Sequence, residues 1–176
     1  LLAHVFSPDT IEIFWAAFRL PDLIFQIAIF GALSVAFIPV FTEYFESKSR
    51  QDAFELARSI LNIALVVFML LSILIYIFAP PIISNFIAPG FAPEKSAQVV
   101  FLTRIIIFGQ VILIFGAFFV GILQSFQRFI IPALAPVFYN LGIILGIVVF
   151  SKSLGITGAA IGVIMGAILH ALIQLP

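Results

Sequence analysis

The chain has 176 residues, of which 64% are hydrophobic and only 9% are charged. A soluble domain carries roughly 25% charged residues, so this composition excludes an ordinary soluble protein and indicates a membrane protein with several spans. The net charge of zero gives no electrostatic support for a nucleic-acid partner, and the absence of cysteine excludes disulfides and thiol nucleophiles. We find no residue pattern with the spacing of a metal site, a cofactor site or a catalytic set, so we expect no metal, no cofactor and no enzyme activity.

The first third of the chain predicts two membrane segments. Residues 1–6 are apolar and indicate the end of a helix that begins before this chain. A turn with helix-start chemistry follows at residues 7–10. The second span, at about residues 11–43, is long enough for a broken or steeply tilted helix.

Polar residues form a stripe along this second span. Glu12, Arg19 and Gln26 are spaced by seven, which places them within about 40° of one another on a helix, and Asp22 lies near the same line. A charge at mid-bilayer costs roughly 3 kcal/mol or more, so the stripe cannot face lipid. The sequence therefore predicts that these four residues line a protein interior or a water-filled substrate cavity.

Glu12 has a second interpretation that needs no function. Asp9 can serve as an N-cap with Glu12 three residues later, which is the pattern of a capping box. Arg19 lies among large apolar residues with no evident route to the headgroups, which favours the cavity for its side chain.

Prolines and small residues shape the same span. We expect Pro21 to kink or break the helix and Pro39 to bend it again, so both are candidate hinges. Transporters build substrate sites where membrane helices are broken at polar residues. Small residues at four-residue spacing let another helix approach closely, and this span contributes Ala28, Gly31, Ala32 and Ala36.

The only strongly hydrophilic stretch comes next. Residues 43–58 predict a solvated loop whose last part, residues 52–58, resembles an amphipathic start of the next helix. A third span covers about residues 59–78 and should end at Pro80 and Pro81. Residues 82–93 are apolar but too short and too rich in Pro and Gly to cross, so we expect an interfacial hairpin or short helix there.

Three more spans follow at about residues 97–126, 131–150 and 156–175. Arg104 either reaches the headgroups or lines the cavity. Asn140 is a further candidate for the cavity. His170 is either a packed, hydrogen-bonded side chain or part of a proton relay.

Glycines in these spans predict close helix packing. They recur at four-residue spacing, which allows backbones to approach one another: Gly142 and Gly146, Gly158, Gly162 and Gly166, and Gly121 with Ala117 and Ser125. Basic residues also favour one side of the membrane, with Lys48, Arg50, Arg58 and Arg128 against Lys95 and Lys152. The positive-inside rule then places loops 43–58 and 127–128 in the cytoplasm.

Several motifs resemble one family of membrane proteins. They read AAFRLPDLIF and GALSVAFIPVFTEY in the second span, APGFA at residues 88–92, LTRI at 102–105, GILQSFQRFIIPALAP at 121–136 and QLP at 174–176. In this order and spacing the chain resembles the MurJ (MviN) family of bacterial lipid II flippases, within the multidrug/oligosaccharidyl-lipid/polysaccharide exporter superfamily.

The resemblance implies an all-α, fourteen-helix protein with two six-helix lobes around a central cavity. This chain, residues 1–176, would be the N-terminal lobe from the end of helix one to helix six, with the C-terminal lobe absent. The implied function is alternating-access transport of an undecaprenyl-diphosphate-linked sugar-peptide across the bacterial cytoplasmic (inner) membrane. The implied partners are that anionic lipid-linked glycan, membrane lipid and the C-terminal lobe.

Residue by residue, the match is incomplete. Glu12 matches an acidic position of the family and Arg19 a basic one, with Asp22 where the family motif has Asn. The family's later basic pair and acidic residue are replaced by Phe25, Gln26 and Phe30. Two alternatives therefore stand beside lipid II: an exporter of another lipid-linked oligosaccharide or small molecule, and a non-transporting scaffold for cell-envelope assembly.

Overall fold

A computed structural model describes residues 2–27, 37–47 and 49–175, and these ranges are helical without any strand. The α-helices are α1 (Leu2–Val5), α2 (Pro8–Ile27), α3 (Ile38–Ser47), α4 (Arg50–Ile82), α5 (Pro93–Ser125), α6 (Ile130–Leu154) and α7 (Thr157–Leu172), and a π-helical turn (Ile83–Ile87) follows α4. Three segments of the described chain are long and apolar enough to cross a membrane, Arg50–Ile87, Pro93–Ser125 and Ile130–Leu154. The predicted all-α membrane bundle is confirmed.

Pro21 does not interrupt its helix. It lies inside α2, which continues to Ile27, so a break is wrong, while the alternative of a kink stays a prediction. A proline leaves the carbonyl four residues earlier without its helical N–H partner, and here that carbonyl belongs to Ala17. The hydroxyl of Thr103 in α5 donates a hydrogen bond to this oxygen at 3.1 Å. A hydroxyl from a neighbouring helix thus replaces the missing bond, which is how membrane helices tolerate proline.

Pro39, the second predicted hinge, is the second residue of α3. The preceding segment, with Gly31 and the small residues around it, lies outside the described residues. The hinge at Pro39 and the helix packing of Gly31 remain predictions.

The expected loop at residues 43–58 is wrong, although the helical start indicated at residues 52–58 is confirmed. α3 continues to Ser47 and α4 already begins at Arg50. Ser49 caps α4: its hydroxyl accepts from the Asp52 N–H at 3.1 Å, and the Asp52 carboxylate accepts from the Ser49 N–H at 3.3 Å. This capping box starts a helix in a hydrophilic segment, which the composition alone had indicated to be a loop.

Replacing Ser49 with alanine should lower the free energy of unfolding by about 1 kcal/mol, because the Asp52 N–H loses its acceptor. Ser59→Ala in the same helix is the control, since the Ser59 hydroxyl only donates to the Glu55 carbonyl one turn earlier. Thermal unfolding in detergent measures both. Equal midpoints for the two variants would contradict the capping role.

The expected end of the third span at Pro80 and Pro81 is also wrong. α4 continues through both prolines to Ile82 and is extended by the π-helical turn. Pro80 leaves the Tyr76 carbonyl without its helical donor, and Arg104 Nε of α5 donates to that oxygen at 3.1 Å. The segment predicted as an interfacial hairpin is therefore helical at its start and turns before α5.

α5 is the central helix, and it packs against α2, α4 and α7. Its position explains why it supplies donors to two different neighbours. α6 packs mainly on α7 through facing glycines, and a Cβ on Gly146 would overlap the backbone of Gly162. Gly121 of α5 lies against Phe37, whose Cδ1 would be 3.2 Å from an added Cβ.

Candidate functional site

Two residues of the polar stripe line one groove. Glu12 and Arg19 border a space of about 600 Å³ beside α2, and Ile87 and Phe91 form the wall opposite them. We call this the Arg19 groove. α2 is helical throughout, so the seven-residue spacing does place both side chains on the same side.

The Glu12 carboxylate in this groove is paired. It accepts a hydrogen bond from the ammonium group of Lys95 in the first turn of α5. The same ammonium lies 3.5 Å from a carboxylate oxygen of Asp9 and 4.3 Å from the centre of the Phe91 ring. Lys95 therefore neutralises negative charge at this end of the groove and ties α2 to α5.

The capping box proposed for Asp9 and Glu12 is wrong. α2 begins at Pro8, and the residue before it, Ser7, accepts a hydrogen bond from the Thr10 N–H at 3.4 Å. The start of the helix therefore needs no contribution from the Glu12 carboxylate.

Arg19 is the other charged residue of the groove. Its Nη1 is 3.5 Å from the Ile87 carbonyl, a long hydrogen bond across the groove. Within the described ranges Arg19 makes no ion pair, and its side chain is exposed. Its positive charge is thus available to an anion, whereas the charge of Lys95 is already compensated.

The remaining stripe residues belong to a second groove. Asp22 and Asn140 line a space of about 560 Å³ between α2, α5, α6 and α7, which we call the Asp22 groove. Gln26 joins them by donating to the Asp22 carboxylate at 2.6 Å. The Asn140 amide donates to the Pro136 carbonyl of its own helix at 2.9 Å. Trp15 borders both grooves, so the structure divides the predicted cavity residues into two sets.

Arg104 lines neither groove. Its guanidinium lies on the side of α5 that faces α4, with Cζ 4.7 Å from the centre of the Tyr76 ring. The structure therefore does not bring Arg104 together with Arg19.

Sequence reasoning missed two members of these sites. Lys95 lies 83 positions from its partner Glu12, and a single sequence does not indicate which helix ends meet. Gln110 lines the Asp22 groove and is buried, with its Oε1 unpartnered among the described residues. Its polarity inside an apolar span was the signal that could have identified it.

Comparison with known proteins agrees with this architecture. The family model for lipid II flippase MurJ matches residues 2–176. A probable lipid II flippase MurJ of Buchnera aphidicola subsp. Acyrthosiphon pisum is 36% identical, over 100% of this chain and 35% of that protein. A probable lipid II flippase MurJ of Borreliella burgdorferi is 32% identical, over 92% of this chain and 31% of that protein.

A solved structure shows the same fold. It is a lipid II flippase MurJ in an inward closed conformation, with a TM-score of 0.78 and 27% identity, and the match covers 93% of this chain and 34% of that one. The chain spans about a third of the length of these relatives. It belongs to the lipid II flippase MurJ family.

Proposed function

We propose that this chain forms most of the N-terminal lobe, from the end of helix one to helix six, of a flippase for a lipid-linked peptidoglycan precursor. The complete protein would carry the undecaprenyl-diphosphate-linked sugar-peptide across the bacterial cytoplasmic membrane by alternating access. Membership of the MurJ family supports this, as does the likeness to a MurJ structure. The process is transport and involves no covalent chemistry.

The uncompensated charge of Arg19 is the observation that carries the proposal. A diphosphate is anionic, and arginine binds phosphate oxygens with two parallel N–H donors. In the Arg19 groove, Lys95 is paired with Glu12, while the one polar contact of Arg19 among the described residues is with a backbone carbonyl. The groove thus offers one free guanidinium beside apolar walls, which suits a lipid with an anionic headgroup.

The membrane orientation is part of the same proposal. Arg50 begins α4 and Arg128 follows α5, and the ring centres of Phe54 and Phe126 are 6.3 Å apart, so by the positive-inside rule residues 43–58 and 127–128 would face the cytoplasm. Large apolar side chains on α4, such as Val66, are exposed and would contact membrane lipid. The C-terminal lobe would lie against the remaining exposed surface of this chain and close the central cavity.

The experiment is to express the full-length protein in bacteria depleted of their own lipid II flippase. We expect growth with the unchanged protein and an approximately 10- to 100-fold lower flipping rate with Arg19→Ala, because a charge-assisted hydrogen bond of about 1.5–3 kcal/mol is lost. Arg19→Lys should retain part of the activity. Arg128→Ala, at an exposed loop position, is the matched control and should behave as the unchanged protein.

Two other outcomes would point elsewhere. If the full-length protein accumulates in the membrane but does not sustain peptidoglycan synthesis, the lipid II assignment fails. Export of another lipid-linked oligosaccharide or small molecule would then be favoured, because Phe25 lines the Asp22 groove at a position where the family pattern is basic. If Arg19→Ala has no effect, the protein acts as a scaffold; changes at Gly158, Gly162 and Gly166 would break the contact between α6 and α7 in either case and do not distinguish the two functions.

A further inference from the structure

Two consecutive residues of α5 each complete a hydrogen bond that a proline has removed from a neighbouring helix. We propose that Thr103 and Arg104 form a proline latch, a pair of positioning residues that keeps α2 continuous at Pro21 and α4 continuous at Pro80. Breaking either hydrogen bond would permit the helix that accepts it to bend during the transport cycle. The role of this bending in transport rests on the proposed function, whereas the two hydrogen bonds do not.

The first side of the latch is fully buried. The Thr103 hydroxyl donates to the Ala17 carbonyl at 3.1 Å, and both residues are at most 1% exposed. Pro21, four residues after Ala17, is also buried. With no N–H at Pro21, α2 cannot supply this bond itself. In a membrane interior no water can replace it, so the carbonyl depends on α5.

The second side uses a charged donor. Arg104 Nε donates to the Tyr76 carbonyl at 3.1 Å, and the guanidinium also lies over the Tyr76 ring. Pro80 is four residues after Tyr76, so this oxygen also lacks its helical partner. The two contacts explain why an arginine lies well inside an apolar helix without lining either groove.

The position of the two donors couples the two helices. Consecutive residues on a helix point about 100° apart and differ by about 1.5 Å along its axis. α5 packs between α2 and α4, so Thr103 and Arg104 reach the two neighbours at one level. Bending α2 at Pro21 or α4 at Pro80 must move the carbonyl relative to α5. We therefore expect α5 to restrain bending at both Pro21 and Pro80.

A double-mutant cycle in the full-length protein tests the first side. Thr103→Val keeps the shape of the side chain and removes the donor, and we expect it to lower the unfolding midpoint in detergent by roughly 2–4 °C. Pro21→Ala restores a backbone N–H that can bond the Ala17 carbonyl. In the Pro21→Ala background, Thr103→Val should therefore have little effect. Thr103→Ser keeps the hydroxyl but loses a buried methyl group, so as a control it should lower the midpoint by the same amount in both backgrounds.

A conformational readout separates a latch from simple stabilisation. Spin labels at Ile27→Cys in α2, beyond Pro21, and at Phe108→Cys in α5 occupy exposed positions. We expect Thr103→Val to widen the distribution of distances between the labels and Pro21→Ala to narrow it. Pro21→Ala should also reduce flipping although the protein is stable, because its hinge is removed. Arg104→Ala with Pro80→Ala repeats the cycle for the second side.

Clear results would overturn the latch. If Thr103→Val lowers the unfolding midpoint equally in the unchanged protein and in Pro21→Ala, the hydroxyl does not act through the proline. The same conclusion follows if Thr103→Val changes neither the midpoint nor the distances between the labels. If Thr103→Val does not accumulate, restored accumulation in Pro21→Ala supports the latch and continued loss overturns it. The cycle and the distances need no substrate. A failure to sustain peptidoglycan synthesis would therefore contradict the proposed function alone.

Discussion

Gly146→Ala is expected to lower the free energy of unfolding by about 3 kcal/mol or more and to prevent accumulation of folded protein. An added Cβ would overlap the Cα of Gly162 on α7, and backbone atoms cannot move aside as a flexible side chain can. The helices would have to separate, losing the close contact that holds α6 on α7. Gly142→Ala, which meets Gly166 in the same way, should give the same result.

Gly90→Ala is the matched control, because a Cβ there meets nothing within 4 Å. At Gly146, inside α6, helix propensity alone predicts that alanine is more stable than glycine by about 1 kcal/mol. A loss of stability would therefore show that the contact between backbones outweighs propensity. Protein yield and thermal unfolding in detergent measure both variants. A Gly146→Ala protein as stable as Gly90→Ala would refute the proposed contact between backbones.

Gly116→Ala is expected to destabilise the contact between α5 and α7 by about 2 kcal/mol. The added Cβ would overlap Nδ1 of the buried His170, which accepts a hydrogen bond from the Gln174 side-chain amide at 3.2 Å. His170→Ala removes the ring and makes room for the methyl group. We therefore expect Gly116→Ala with His170→Ala to be more stable than Gly116→Ala alone.

Unfolding midpoints of the two single variants and the double variant provide this measurement. If the double variant lowers the unfolding midpoint by the sum of the two single effects, the methyl group and the imidazole do not compete for the same space. The geometry agrees with a packed histidine, one of the two roles considered for His170.

Helical periodicity correctly predicted which residues share one face of a helix. Glycines four residues apart on the sixth predicted span lie at the interface of α6 and α7, since a four-residue repeat keeps to one face of a helix. Glu12 and Arg19 share a groove for the same reason. Composition alone likewise indicated the long apolar helices.

Two kinds of prediction from local sequence were wrong, one because of contacts between helices and the other because of a helix cap. Pro21 and Pro80 were expected to break or end helices, because the rule for proline considers one helix alone. Donors from α5 supply the missing bonds, so both helices continue. At Ser49, a capping box outweighed the hydrophilic composition of its segment.

The sequence by itself determined the class of this protein, its main apolar spans and the faces on which small and polar residues gather. These properties depend on composition and on the 3.6-residue period, which any helix imposes on its own residues. Only the tertiary structure decided that Lys95 neutralises Glu12, that Arg19 and Asp22 border separate grooves and that Thr103 and Arg104 serve two prolines. Each of those contacts joins residues on different helices, and their partners are fixed by how the helices pack rather than by spacing along the chain.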